Sequence, residues 1–270
     1  MASAGGHEKV VQILLEHNAD INAQSTHRGS ALQVASVGGH EKVVQMLLDH
    51  DADVNADGGY HGNALQATSA VGYDRIVQML LDHNADVNAQ GGRWGNALHA
   101  ASARGDGKII KMLLDMGARC TTKVLFHLFA NKYITLLPAL SSHIQMEMMD
   151  ERDALRNKTL LHYAAECGLQ TVTKRCLDLG ADIDATDKVC KTALHYAAKN
   201  GHLEVVKTLV EAKANRKIRD GRGRTALDCA QKSYQGDSRV QPDIVAYLQG
   251  QGRTISSIYS STISSFRKAR

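Results

Sequence analysis

The chain has 270 residues, 43% of them apolar and only 4% aromatic, with two prolines, Pro138 and Pro242. Five cysteines at 120, 167, 176, 190 and 229 form no C-x-x-C pair, which argues against a zinc module and against a disulfide framework. Net charge is +4, divided into −5 over residues 1–118 and +9 over residues 119–270, a division that bears on partners rather than on fold.

Nothing at the N-terminus has the basic-then-apolar layout of a secretory signal. The most apolar stretch, 124–149, is cut by His127, Asn131, Lys132 and His143 and does not read as a membrane span. With reduced thiols and no such layout, the expected location is inside the cell, in the cytoplasm, with the nucleus as an alternative.

A unit recurs along the chain. The opening residues align with the middle of one, Met1 matching Val34, so Val10, Val11, Leu14 and Leu15 are expected to lack part of their cover. That suggests a piece of a longer parent. Anchor leucines then follow at 32, 65, 98, 161, 194 and 227, with gaps of 33, 33, 63, 33 and 33. The long gap is two periods minus three, so a degenerate copy is expected over residues 122–156. In each clear copy Ser, Thr or Asn precedes a short first helix and can cap it. A glycine closes that helix in most copies. A second helix carries apolar residues at i, i+1, i+4 and i+5, for example Val43, Val44, Leu47 and Leu48. It ends on Asn18, Asp51, Asn84, Gly117 or Gly180, residues suited to a left-handed C-terminus; Lys213 is the poor fit.

In the degenerate copy, Leu125 and Leu128 compete as anchor. Leu140 and Ile144 are expected on a second helix with Pro138 in its first turn, and three residues are expected to be missing from 115–127, which shortens one finger. The last copy carries a polar insert near 233–240 and closes with a helix from about Pro242. Residues 253–270 read as a disordered Ser-rich basic tail open to phosphorylation. The expected divisions are 1–121, 122–156, 157–252 and 253–270.

Thr192-Ala193-Leu194-His195-Tyr196-Ala197, followed by Gly201-His202, resembles the signature of the ankyrin repeat family. The earlier copies use another wording, as in Gly62-Asn63-Ala64-Leu65-Gln66, similar to fungal ankyrin arrays, including proteins that also carry a NACHT module. No phosphate-loop motif is present in this sequence. The resemblance implies an all-α solenoid of about seven or eight helix-turn-helix repeats with hairpin fingers, non-catalytic and acting as a scaffold for protein binding.

Thirteen histidines fall mostly on repeat-equivalent positions, which stack too far apart to ligate one metal ion; hydrogen bonding is their expected role. The stretch 182–187 lacks the glycine and glutamate of a calcium loop. No catalytic motif, cofactor or metal is expected. In ankyrin arrays the partner-contacting positions lie on finger tips and the concave inner face. Carried over, they are His27, Arg28, Tyr60, His61, Arg93, Trp94, Arg156, Lys158, Lys188, Lys191, Arg222 and Arg224, none of them acidic. A monomer that binds an acidic protein surface is the leading expectation. Alternatives are polyanion binding, to nucleic acid or anionic lipid, through the basic half, and a regulatory piece of a larger NACHT-type or enzyme-bearing protein. The two wordings are expected to be physically equivalent. The join between them, with Trp94 before it and Arg156 after it, is the expected focus.

Overall fold

The computed structural model describes residues 1–25, 29–231 and 241–250. The chain falls into two units, residues 1–136 and 137–270. The polar insert, the C-terminal tail at 253–270, and the finger residues His27 and Arg28 lie outside the described residues.

In residues 1–136, α1 (Glu8–Glu16) precedes three helix pairs: α2 (Ala31–Gly38) with α3 (Glu41–Asp49), α4 (Ala64–Val71) with α5 (Asp74–Asp82), and α6 (Ala97–Arg104) with α7 (Gly107–Asp115). A single helix, α8 (Thr122–Ala130), follows. First helices pack on first helices and second on second. The first helix of each pair starts where a side chain satisfies an otherwise unpaired N–H, whereas Thr121 gives α8 no such cap. Ser30 and Gln33 bond each other's backbone N–H groups, and Asn63 and Gln66 do the same. The anchors Leu32, Leu65 and Leu98 are at most 1% exposed, and each contributes about 2 kcal/mol of burial. Of the four residues expected to lack cover, Val10 and Leu14 are exposed and Leu15 is half-buried, but Val11 is buried; Ile13 is exposed as well.

The second helices end as expected in the left-handed region, at Asn18 (φ 53°), Asp51 (φ 59°) and Asn84 (φ 63°). Lys213 takes the same conformation at φ 69°, so the helix-end geometry there overrides a residue that disfavours it. The turns are stitched between copies. Asn22 accepts from the Asp53 N–H at 2.8 Å, Asn55 from Asp86 at 2.7 Å and Asn88 from Arg119 at 2.8 Å.

The degenerate copy takes Leu125 as its anchor. Tyr133 N–H donates to Leu128 C=O at 2.9 Å, the bond that His40 makes to Ala35 at 3.1 Å eight residues after Leu32. From Leu98 to Leu125 is 27 residues, so six are missing there rather than three, and the 36 from Leu125 to Leu161 hold three extra. Only residues 116–121 link α7 to α8, where 83–96 link α5 to α6. There is no finger at this place.

Residues 137–250 begin with the one-turn helix α9 (Leu137–Leu140), followed by two 3₁₀ turns, Ser141–His143 and Met146–Met148. Leu140 and Ile144 are buried as expected, but they do not share a continuous second helix. Pro138 offers no N–H to a preceding turn, and Ser141 Oγ donates to the Pro138 C=O at 2.7 Å, competing with helix continuation. Two full pairs follow, α10 (Leu160–Cys167) with α11 (Gln170–Asp178) and α12 (Ala193–Asn200) with α13 (Leu203–Glu211). The last is α14 (Ala226–Gln231) with α15 (Pro242–Leu248), in which Pro242 opens the helix as expected. Leu161 and Leu194 are 1% exposed.

Candidate binding surface

Two fingers of residues 1–136 close backbone to backbone. Gly29 donates to Ser25, and Gly91 to Gly95 at 2.8 Å. The residue closing each finger is glycine with positive φ: Gly29 (76°), Gly62 (80°) and Gly95 (79°). That glycine lets the glutamine one residue past the anchor reach both its own helix start and the next finger. Gln33 Nε2 donates to Gly62 C=O at 2.7 Å and Ala56 C=O at 2.8 Å. Gln66 Nε2 donates to Ala89 C=O at 2.8 Å.

His99 occupies the equivalent place but has no following finger. Its Nδ1 instead donates back to the Trp94 C=O at 2.9 Å. The imidazole then meets the indole edge-on, with centroids 6.1 Å apart, and the His127 ring at 5.4 Å. Burial, and then the nearby His99, hold His127 below the usual imidazole pKa. Trp94 is therefore half-buried on its own turn and its neighbours' rings, at the last finger of this unit. The guanidinium of Arg93 lies over both aromatic rings, 5.0 Å from the Trp94 centroid and 5.7 Å from that of Tyr60. Arg93 N–H also donates to the Tyr60 C=O at 3.1 Å, tying the two fingers together. Tyr60 is 60% exposed. His61 is half-buried against Tyr60, and its Nδ1 has no hydrogen-bond partner among the described residues.

The fingers of residues 137–250 are built differently, each around one aspartate. Asp187 accepts from the Val189 and Lys191 N–H groups at 2.9 and 2.8 Å and from the Tyr196 hydroxyl at 2.6 Å. Asp153 likewise takes N–H groups and the Tyr163 hydroxyl. Asp220 binds Arg224 through Nε and Nη2, at 3.1 and 2.7 Å. Burial opposes the charge of Asp220, but Arg224 and the N–H groups of Arg222 and Arg224 outweigh it and hold the carboxyl at about 2. The finger closes on Lys158, Lys191 or Arg224 where the earlier wording has glycine.

Two of the expected tip residues are corrected by this construction. Lys158 is only 1% exposed. Its ammonium pairs with Glu166 at 2.6 Å and lies 3.9 Å from the Tyr196 ring centroid, so it faces no partner. Arg224 is spent largely on Asp220. Lys188 is exposed but donates to the Ala154 and Leu155 carbonyls of the preceding finger, at 3.1 and 2.7 Å. Arg156 and Arg222 are exposed on their tips, and Lys191 is half-buried. The aspartate-to-tyrosine pairs were missed in the sequence although Asp153 with Tyr163 and Asp187 with Tyr196 recur at almost one spacing.

The histidines act as hydrogen-bonding groups. His17, His50 and His83 bond the carbonyl four residues back, each at 2.8 Å. His162 Nδ1 accepts from the Thr159 N–H at 3.1 Å while Nε2 donates to Lys191 C=O at 2.9 Å; His195 repeats this with Thr192 and Arg224. Only the neutral ring can do both. Burial, first of all, pushes both pKa values down. The native state then binds fewer protons than the unfolded chain, whose histidines titrate near about 6.5. Stability is therefore complete above that pH and falls as pH drops below it. Replacing both rings by Gln, as in His162→Gln with His195→Gln, should flatten the fall in thermal midpoint between pH 7.5 and 5. An unchanged slope would show that these rings do not set it.

Among the described residues no three His, Cys, Asp or Glu side chains are placed to hold a metal ion, and no helix is long and apolar enough to cross a membrane. All five cysteines are free. Burial pushes the thiols of Cys120 and Cys176 up to about 12 and that of Cys167 to about 11.

Stacked helix pairs with turn-borne side chains along one edge define an all-α repeat solenoid. Family models described as ankyrin repeats match residues 1–58, 125–220 and 161–257 in one case and 70–114 in the other. The chain belongs to the ankyrin repeat family, whose domains are known as protein-interaction modules. Among solved structures, the human ASB11 ankyrin repeat domain is 24% identical with a TM-score of 0.44, over 90% of this chain and 94% of that one. The ankyrin repeat domain of Bcl-3, described as a unique member of the IkappaB protein family, is 21% identical with a TM-score of 0.46, over 90% and 95%. No curated protein sequence matches the chain.

Proposed function

We propose that the chain is a non-catalytic protein-binding module that grips an acidic partner segment at the fingers of residues 58–62 and 91–95. The observation that carries this is Arg93, exposed and laid over Tyr60 and Trp94. Among the described residues no carboxylate lies within ion-pair distance of it. A cation fixed against two aromatic rings loses little side-chain freedom on binding, and Arg, Trp and Tyr are the types that most often dominate interface energy. Free thiols support a reducing compartment.

The test is quantitative binding of a partner recovered with the full chain. Arg93→Ala and Trp94→Ala should each weaken it by about 2 kcal/mol, more than tenfold, with Arg93→Ala leaving the thermal midpoint within a degree or two. Full retention of affinity in Arg93→Ala would sink the proposal.

A further inference from the structure

Between the fingers at 187–191 and 220–224 lies a cavity of about 630 Å³. Its wall holds five cations, Lys188, Lys191, Lys199, Arg222 and Arg224, and one carboxylate, Asp220. Asp220 is already committed: its Oδ1 accepts from the Arg222 and Arg224 N–H groups at 2.9 and 3.0 Å, and its Oδ2 from the Arg224 guanidinium. It neutralises Arg224. Among the described residues, Lys188, Lys191 and Lys199 have no carboxylate within ion-pair distance. Lys188 is held by two neutral carbonyls instead. Lys191 is half-buried, and burial followed by the nearby charge of Lys199 lowers its pKa. The two fingers are tied by Gly221 N–H donating to Val189 C=O at 2.8 Å, so the site is preformed.

We propose that this cavity binds a phosphomonoester dianion, carried by a phosphorylated side chain of a protein segment. A dianion with three acceptor oxygens can take charge-assisted bonds from several ammonium groups at once, whereas a carboxylate has one charge and two oxygens. The volume exceeds that of a phosphate and leaves room for the residue bearing it. Val189, Cys190 and Cys229 supply the less polar wall. In residues 1–136 the positions equivalent to Lys191 are glycines, so the site belongs to the second wording alone.

The full chain is titrated at pH 7.5 with a glycine-flanked phosphoserine heptapeptide, its glutamate counterpart and inorganic phosphate, followed by ³¹P and proton NMR of the ligand. Saturable binding is expected for the phosphopeptide, at least tenfold tighter than for the glutamate peptide. It should weaken at least tenfold in Lys199→Met, a change at an exposed helix end, and in Lys191→Met, but not in the charge-loss control Lys111→Met. Tighter binding of the peptide than of inorganic phosphate supports a protein source; equal binding keeps the phosphate site but overturns the protein source. No saturable binding of either phosphate probe, or equal binding by the wild type and Lys199→Met, overturns the site. None of these readouts involves Arg93 or Trp94, so the two proposals fail separately.

Discussion

Lys158→Ala is expected to destabilise residues 137–250 by about 3 kcal/mol, read as a lower urea midpoint with an unchanged slope. The ammonium has almost no contact with water, and its removal strips Glu166 of a partner at 2.6 Å and empties the space over the Tyr196 ring. Lys158→Met separates the two losses. It keeps the stem packed on the tyrosine, and Glu166, whose side chain is 30% exposed, can turn to solvent. That variant should cost only about 1 kcal/mol. A wild-type midpoint for Lys158→Ala would show that the buried cation is not structural.

Gly62→Ala should cost about 3 kcal/mol in residues 1–136, by the same measurement. A Cβ at φ 80° is strained, and one built there overlaps the Gln66 Oε1 that caps α4. Gly62→Lys, which writes the residue of the later fingers into the earlier one, should do no better. The reverse change, Lys191→Gly, introduces no clash and should cost only about 1 kcal/mol of chain entropy and lost packing. An equal small cost in both directions would mean that the two wordings are interchangeable residue by residue.

The capping grammar was legible in the sequence because it is local. Asn63 with Gln66 and Thr192 with His195 satisfy the same two N–H groups, so equivalence of the wordings at the helix start holds. Equivalence fails one residue earlier, where glycine and lysine demand different backbones. The anchor of the degenerate copy was not legible because Leu125 and Leu128 are both buried, and only the bond from Tyr133 to Leu128 separates them. The burial of Lys158 was hidden because its partners, Glu166 and Tyr196, lie eight and 38 residues away. The part played by Trp94 could be half seen. An indole beside a shortened finger was visible, but the reversal of His99 depends on six absent residues, and a sequence shows only what is present.

The difference at the finger base also bears on how such an array can grow. Residues 58–90 form one 33-residue period with a net charge of −2; residues 187–219 form another with +5. Duplicating the first would extend the core while making the protein more acidic, and duplicating the second would drive its isoelectric point up. Copy number in the two wordings is thus a dial on the protein's electric field that leaves the leucine spine untouched. Unequal recombination between repeats could retune its choice of partners in a single step.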